Sequence, residues 1–378
     1  MTAKRGVAAA FELSLVELSM AAQQLAYELS LFAPTPIPWA LVQTLLPDGL
    51  DEEDVEHWRG SLVNTSLLKR VSPNTYQMHP LIREFLAHWS HTTAGTTCLT
   101  SATALTADTP SPSPSAGADG WKQRYCAAMV KMAQQLPQTP TQELILAIAT
   151  AMPHLAEAAT SLQPWLADED LLWPFVGLGR FYAGQGIYEQ AKPWYEACLA
   201  ATQARFGNDH PDVATSLNNL AELYRLQGRY AEAEPLFQQA LALRQELLGE
   251  AHPHVARSLN NLALLYDSQG RYAEAEPLFP HAMQIDLKAL GEDHPDTAID
   301  FANLAGFYVS QGQFAQAEPL YLKALFVFHE RLGEEHPYFQ GTFKGLVNLI
   351  AQALDTGQGD ALSENPVTQD LIQQIRNA

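Results

Sequence analysis

Residues 210–251 read HPDVATSLNNLAELYRLQGRYAEAEPLFQQALALRQELLGEA, and residues 252–293 read HPHVARSLNNLALLYDSQGRYAEAEPLFPHAMQIDLKALGED. The two blocks are one unit written twice. The step extends in both directions: His210, His252, His294 and His336 each precede a proline at intervals of 42 residues. Gly186, Gly228, Gly270 and Gly312 keep the same step, as do Tyr182, Tyr224, Tyr266 and Tyr308, and Ala191, Ala233, Ala275 and Ala317. A fixed period of this length marks a repeat architecture, whose units bury their apolar faces only by stacking on one another. Within the unit, Leu217, Leu220, Ala221 and Tyr224 recur at helical spacing until Gly228 interrupts them. Ala233, Leu236, Phe237, Ala240, Leu241 and Leu243 form a second stripe, which Gly249 closes. The unit is therefore predicted to be a helical hairpin, with Ala221 and Ala233 at the crossing and Tyr224 and Phe237 filling the space between units. Pro211, Pro253, Pro295 and Pro337 suit a first helical position. Pro235, Pro277 and Pro319 fall near the start of the second helix, where a missing donor costs little.

The chain of 378 residues has room for two or three domains, or for one domain and a repeat array. An apolar content of 47% excludes wholesale disorder. Lys and Arg number 22 against 42 Asp and Glu, and the net charge of −20 opposes phosphate backbones and anionic membranes, so neither nucleic acid nor membrane is an expected partner. Cys98, Cys126 and Cys198 show no CxxC spacing, so neither a disulfide framework nor a cysteine zinc site is readable. No apolar run is long enough to span a bilayer. The basic start is soon interrupted by Glu12 without a leader's apolar core, and a cytoplasmic location is expected.

The segments LNNLAELYRLQGRYAEAEPLFQQAL and LNNLALLYDSQGRYAEAEPLFPHAM resemble tetratricopeptide repeats (TPRs), in particular those of kinesin light chains. The resemblance covers about residues 168–355 and implies an all-α fold, a superhelical TPR solenoid of helix-turn-helix repeats. Within an array at 164–355, units are expected near 168–209, 210–251, 252–293 and 294–335, with a cap helix at 336–355. The first is divergent, with FVGLGRFYAGQG where later units have LNNLAELYRLQG. Residues 356–378 read as a C-terminal tail containing a candidate helix from Pro366 to Arg376.

At the other end, residues 8–31 have helical periodicity, and LFAPTPIPWALVQTLLP leads to a second short helix. Asp51, Glu52, Glu53 and Asp54 suit a first helical turn. Leu67, Leu68 and Val71, a turn at Ser72 to Asn74, then Tyr76 and Met78 predict a small hairpin before a last helix. Residues 1–91, on the strength of FELSLVELSMAAQQLAYELSLFAPTPIPWALV and MHPLIREFL, resemble the winged-helix domain of NB-ARC proteins, which belong to the STAND signal-transduction ATPases. In that family a Met-His-Asp motif stands where Met78, His79 and Pro80 stand here, and the resemblance implies a nucleotide-sensing role for His79. Pro80 departs from the motif. None of the eight lysines follows a glycine, so the phosphate-cradling loop GxxxxGK[ST] is missing and this chain alone is not expected to hydrolyse ATP. The sequence reads as the C-terminal half of such an ATPase, encoded separately or truncated, and a P-loop NTPase is one expected partner. DNA binding is disfavoured too, since residues 1–91 hold six basic against ten acidic side chains. Residues 92–120, rich in Thr, Ser, Ala and Pro, read as a flexible linker, and 121–163 as a helical pair capping the first repeat.

Chemistry is sparse. Equivalent histidines in stacked hairpins stand at least a helix-packing distance of about 8–10 Å apart, whereas zinc needs nitrogens at about 2.0–2.1 Å, so the four His-Pro histidines are expected to serve turns. There is no GxSxG, and His329-Glu330 does not extend to HExxH. Cys198 is expected in the core, and the Glu residues of AEAEP on solvated faces. No catalytic residue, metal or cofactor is expected, and the chain reads as a non-enzyme. The informative residues are Asn219, Asn261 and Asn303, preceded by Asn218 and Asn260 in two units, because asparagine is a modest helix former whose amide both donates and accepts. Two readings stand: capture of an extended ligand's backbone, or an amide ladder between repeats. The TPR resemblance places this asparagine on the concave, peptide-gripping face. Arg225 and Arg257 join the candidate peptide-binding set. The expected function is a protein-interaction scaffold taking a peptide or partner protein; the alternative is the regulatory part of a STAND switch that docks on a separate nucleotide-binding domain through His79.

Overall fold

The computed structural model describes residues 10–46, 50–89, 116–137 and 140–377. The chain divides into two compact units, Met1–Cys198 and Leu199–Ala378. The division falls inside the helix Tyr188–Phe206 rather than in the predicted linker. Most of that linker lies outside the described residues, and its last five residues, 116–120, are helical.

In the first unit, α1 (Met20–Ser30) begins where the Ser19 side chain accepts from Ala22 N. There follow β1 (Ile37–Pro38), α2 (Trp39–Gln43), α3 (Glu52–Asn64), β2 (Lys69–Ser72), β3 (Thr75–Gln77) and α4 (Pro80–Trp89). Asp51 caps α3 by accepting from Glu53 N, with Glu52, Glu53 and Asp54 in the first turn against the positive end of the dipole. The predicted hairpin forms, and it gains a third strand: the order is β1-β3-β2, antiparallel, with Ile37 opposite Tyr76. The prolines around Ile37 hid that strand, yet an edge strand tolerates them because it needs few amide donors. Trp39 packs edge-on against Tyr76 at 5.4 Å and seats the sheet.

After α5 (Ala116–Gln134) come α6 (Gln142–Ile148) and α7 (Met152–Ala159), and α5 and α7 pack against this block. Phe32 meets the Tyr125 ring at 5.1 Å and the His154 ring at 5.0 Å, and Tyr27 and Trp121 share a buried cluster. α5 and α7 also receive α8 (Leu172–Ala183): a Cβ at Gly177 would lie 2.8 Å from the Cβ of Ala133, so glycine allows that approach. The unit boundary then falls within α9 (Tyr188–Phe206).

The second unit consists of helical hairpins: α10 (Pro211–Leu226) with α11 (Tyr230–Leu248), α12 (Pro253–Ser268) with α13 (Tyr272–Ala275) and α14 (Leu278–Ala289), and α15 (Pro295–Ser310) with α16 (Phe314–Leu332). Gly228 makes the first of these turns at φ 71°, and Arg229 N donates back to Tyr224 O at 2.8 Å. Ala221, Ala233 and Phe237 are wholly buried, as a close helix crossing requires. Pro235 and Pro319 lie within unbroken helices, but at Pro277 the helix is interrupted. Pro280 explains the difference, because it removes a second donor three residues on, where the other units have Gln238 and Leu322. After α17 (Pro337–Asp355), the predicted tail is folded: α18 (Pro366–Asn377) places Leu371 and Ile372 in the cluster of Leu346, Leu349 and Ile350. Buried Glu318 fixes that return by accepting from Ser363 N at 2.7 Å and Thr368 Oγ1 at 2.6 Å. The fold is all-α in class, as the repeat predicts, and the three short strands among the described residues lie in the first unit.

Candidate ligand-binding face of the repeats

Each repeat histidine starts a helix. The Nδ1 atoms of His210, His252, His294 and His336 accept from the N–H groups of Asp212, His254, Asp296 and Tyr338 at 3.2, 3.1, 3.1 and 3.2 Å. His79 does the same for α4, accepting from Leu81 N at 3.2 Å, and its ring is exposed. An accepting Nδ1 is unprotonated, so these imidazoles carry their proton on Nε2. The turn role predicted for the four repeat histidines thus takes the form of a helix cap. Histidine is outside the usual capping set, and the signal that could have found it is the His-Pro pair itself, which puts proline at the first helical position.

With the first helices started in register, polar residues fourteen apart meet between consecutive hairpins. Thr202 Oγ1 lies 3.3 Å from Ser216 Oγ. Arg244 donates to Ser258 Oγ at 2.7 Å, to His254 O at 3.2 Å and to Thr215 Oγ1 at 3.3 Å, and burial lowers its guanidinium to about 10. Asp286 and Asp300 hold the corresponding places one repeat later, and Phe328 and Thr342 hold them in the last. Sequence reasoning missed this series. The signal was there, as a polar residue recurring at a 42-residue step within an otherwise apolar stripe.

The asparagines divide into two groups. Asn218 and Asn260 are 7% and 4% exposed and face neighbouring helices. Asn260 Nδ2 donates to Asp300 Oδ1, and Asn261 Nδ2 donates to Asn218 Oδ1 at 2.9 Å. An amide ladder between repeats therefore engages Asn218, Asn260 and one end of Asn261. Asn219 and Asn303 are half-buried, and among the described residues neither side chain makes a hydrogen bond.

The charged candidates are already partnered. Arg225 is held by Glu222 at 2.8 and 2.7 Å and reaches Ser268 Oγ at 3.4 Å, while exposed Arg257 pairs with Asp296 at 3.8 Å. Ser310 donates to Asp267 at 3.0 Å, so the far ends of the first helices are tied together as well. The solvated role expected for the AEAEP glutamates needs correction at Glu234, and the equivalent Glu318 of AQAEP departs from it further. Glu234 accepts from Arg271 at 2.6 Å and from Tyr266 Oη at 3.2 Å, and the Arg271 hydrogen bond holds its carboxyl below the usual range. Glu318 is buried under the C-terminal helix.

The sequence model of the family described as Tetratricopeptide repeat matches residues 170–246, 216–285 and 254–328. No curated protein matches the chain. Among solved structures, the nearly identical TPR-like repeats assigned to a kinesin light chain of Podosopora anserina are 26% identical, with 53% of this chain and 90% of that one covered and a TM-score of 0.40. BtubC (BKLC) from P. vanneervenii is 20% identical over 69% of this chain and 93% of its own, with a TM-score of 0.44. A Signal Transduction ATPase with Numerous Domains with a tetratricopeptide repeat sensor, from Pyrococcus horikoshii, is 13% identical over 95% of this chain and 59% of its own, with a TM-score of 0.26. Residues 170–328 thus match the tetratricopeptide repeat model, and kinesin-light-chain repeats are among the structural neighbours of the chain.

Proposed function

We propose that the chain is a non-enzymatic protein-interaction scaffold that captures an extended peptide segment of a partner along its first-helix face. Tetratricopeptide repeat proteins generally mediate protein–protein interaction, and their fold is typically a scaffold without catalysis. One observation carries the finer reading: Asn219 and Asn303 present amides with no partner among the described residues, on either side of an Asn261 that keeps its carbonyl oxygen. Amides that both donate and accept suit a peptide backbone whatever its side chains. Residues 199–378 hold 11 Lys and Arg against 23 Asp and Glu, a balance that steers basic segments toward this unit. Arg225 and Arg257 act in this reading through their existing ion pairs, shaping the rim. Selection from a library of displayed random peptides, followed by titration of the best binder, tests it. The double change Asn219→Ala and Asn303→Ala should weaken binding at least roughly tenfold, the loss of more than one ligand hydrogen bond, with helicity unchanged.

A second reading, docking of the winged-helix-like head on a separately encoded P-loop NTPase, draws support from His79. Its ring is exposed and, among the described residues, only Nδ1 is engaged, so Nε2–H can donate to a nucleotide phosphate. Labelled ADP retained by such a pair, and released by His79→Ala, would favour it.

A further inference from the structure

Asp286 on α14 and Asp300 on α15 are each 3% exposed and hold the places at which Thr202 meets Ser216 and Arg244 meets Ser258 in the two preceding interfaces. Asp300 accepts from Asn260 Nδ2 on α12, whereas among the described residues Asp286 Oδ1, Asp300 Oδ2 and Asn260 Oδ1 receive no donor. Neither carboxyl has an ion-pair partner among the described residues. The other groups that act on the pair are Arg257 from α12, His294 from the preceding turn and Asp296 from α15. Arg257 is already paired with Asp296. Two buried, adjacent negative charges would carry a large desolvation and repulsion cost, which a proton held between them removes.

From this geometry we propose that Asp286 and Asp300 share one proton and form an acid-locked joint between two consecutive repeat hairpins, which loosens when that proton leaves. The joint is particular to this interface, since the two preceding ones carry Thr202 with Ser216 and Arg244 with Ser258, pairs that already contain a donor. Burial and mutual repulsion raise both carboxyls above the usual carboxylate range. A raised folded-state value means that the folded form binds more protons than the unfolded form. The joint is therefore fully stable below the ordinary aspartate value of about 4 and loses stability as pH rises through the raised range. Loss of the proton leaves Asn260 as the sole donor facing two charges, so α14 and α15 must part far enough to admit water.

The test compares the full chain with Asp300→Asn, whose amide donates permanently to Asp286, and with Asp286→Asn as an independent second variant. Amide hydrogen exchange over residues 278–310 is measured for all three at the same pH, so that intrinsic exchange rates cancel. At about pH 5 the three should protect these amides alike. At about pH 9 the unsubstituted chain should exchange roughly tenfold faster than either variant. Carbon-13 spectra of the aspartate carboxyls should show one resonance, assigned by its loss in the variants, still protonated at neutral pH. Equal exchange at both pH values, or ionisation of both carboxyls alongside the exposed aspartates, would overturn the joint. So would protection restored at high pH by magnesium or calcium in the unsubstituted chain alone, which would assign the oxygens to a cation.

Discussion

His154 in the first unit and the buried polar pairs of the second solve the same problem in different ways. His154 is wholly buried and occurs once: its Nδ1 accepts from Ala33 N at 3.1 Å and its Nε2 lies 3.2 Å from Pro36 O, so one ring pins a proline-rich loop some 120 positions upstream. Tyr125 Oη donates to its backbone carbonyl at 2.9 Å. In the second unit Thr202, Arg244 and Asp286 belong to a series whose opposite member stands fourteen residues further on, at Ser216, Ser258 and Asp300. A unique long-range contact leaves no trace in local sequence. A periodic one is written as many times as there are repeats, so a departure at a single interface, such as Asp286 facing Asp300, stands out against its neighbours.

The sharpest way to break that contrast is to delete the unique contact. His154→Ala leaves Ala33 N–H and Pro36 C=O without partners and opens a cavity, an expected loss of about 4 kcal/mol. All seven tryptophans precede residue 199, so tryptophan fluorescence during denaturation reports the first unit. The fluorescence transition should shift to lower denaturant, while hydrogen exchange over 253–310 stays as it was. A parallel loss in both units would refute the contrast.

Next in size is pH. Burial lowers the His154 imidazole to about 4, so the unfolded chain binds the proton first as pH falls. The first unit should lose stability from about pH 6.5 down to about pH 4, on the order of 3 kcal/mol in all. The joint in the second unit runs the other way and weakens as pH rises. Fluorescence melts across that acid range, flattened in His154→Ala, check the first half of this statement.

Within the repeats, equivalent changes should have equivalent effects. Ala233→Leu and Ala317→Leu overpack the same crossing and should each cost about 2 kcal/mol. Thermal melts of the two variants would sharpen the comparison if they agree and weaken it if they differ several-fold. The smallest effect belongs to the caps: His294→Ala should cost about 1 kcal/mol, and His294→Asp should restore it because aspartate accepts from the same N–H. His79→Ala should cost a similar amount in the first unit, as a shift in the fluorescence transition.

The hairpins, their glycine turns and the register of the repeats were legible in the sequence because several residues agreed at each periodic position. The strand at Ile37 was not, since its pairing with Tyr76 depends on a segment almost forty residues away and its prolines argue locally against strand. Docking of α5 and α7 on the N-terminal block was equally unreadable, because it rests on His154 and on Arg83, which donates to Ser30 O at 2.8 Å and pairs with Glu157 at 2.6 Å. At the candidate face, the recurrence of asparagine was visible, but not which members turn inward. Asn218 sits one position before Asn219, and that single helical step of about 100° separates a ladder residue from an accessible amide, whereas Asn261 takes part in the ladder with its Nδ2.

The central claim is that these neighbouring asparagines divide the work, one set holding the repeats together and the other meeting a ligand. It is tested most directly by titrating one selected peptide against two double variants, Asn219→Ala with Asn303→Ala and Asn218→Ala with Asn260→Ala, while recording the melting temperature of each. The first variant should lose binding at least roughly tenfold at an unchanged melting temperature, and the second should melt lower, with its remaining folded fraction still binding. Undiminished affinity in the first variant would contradict the account.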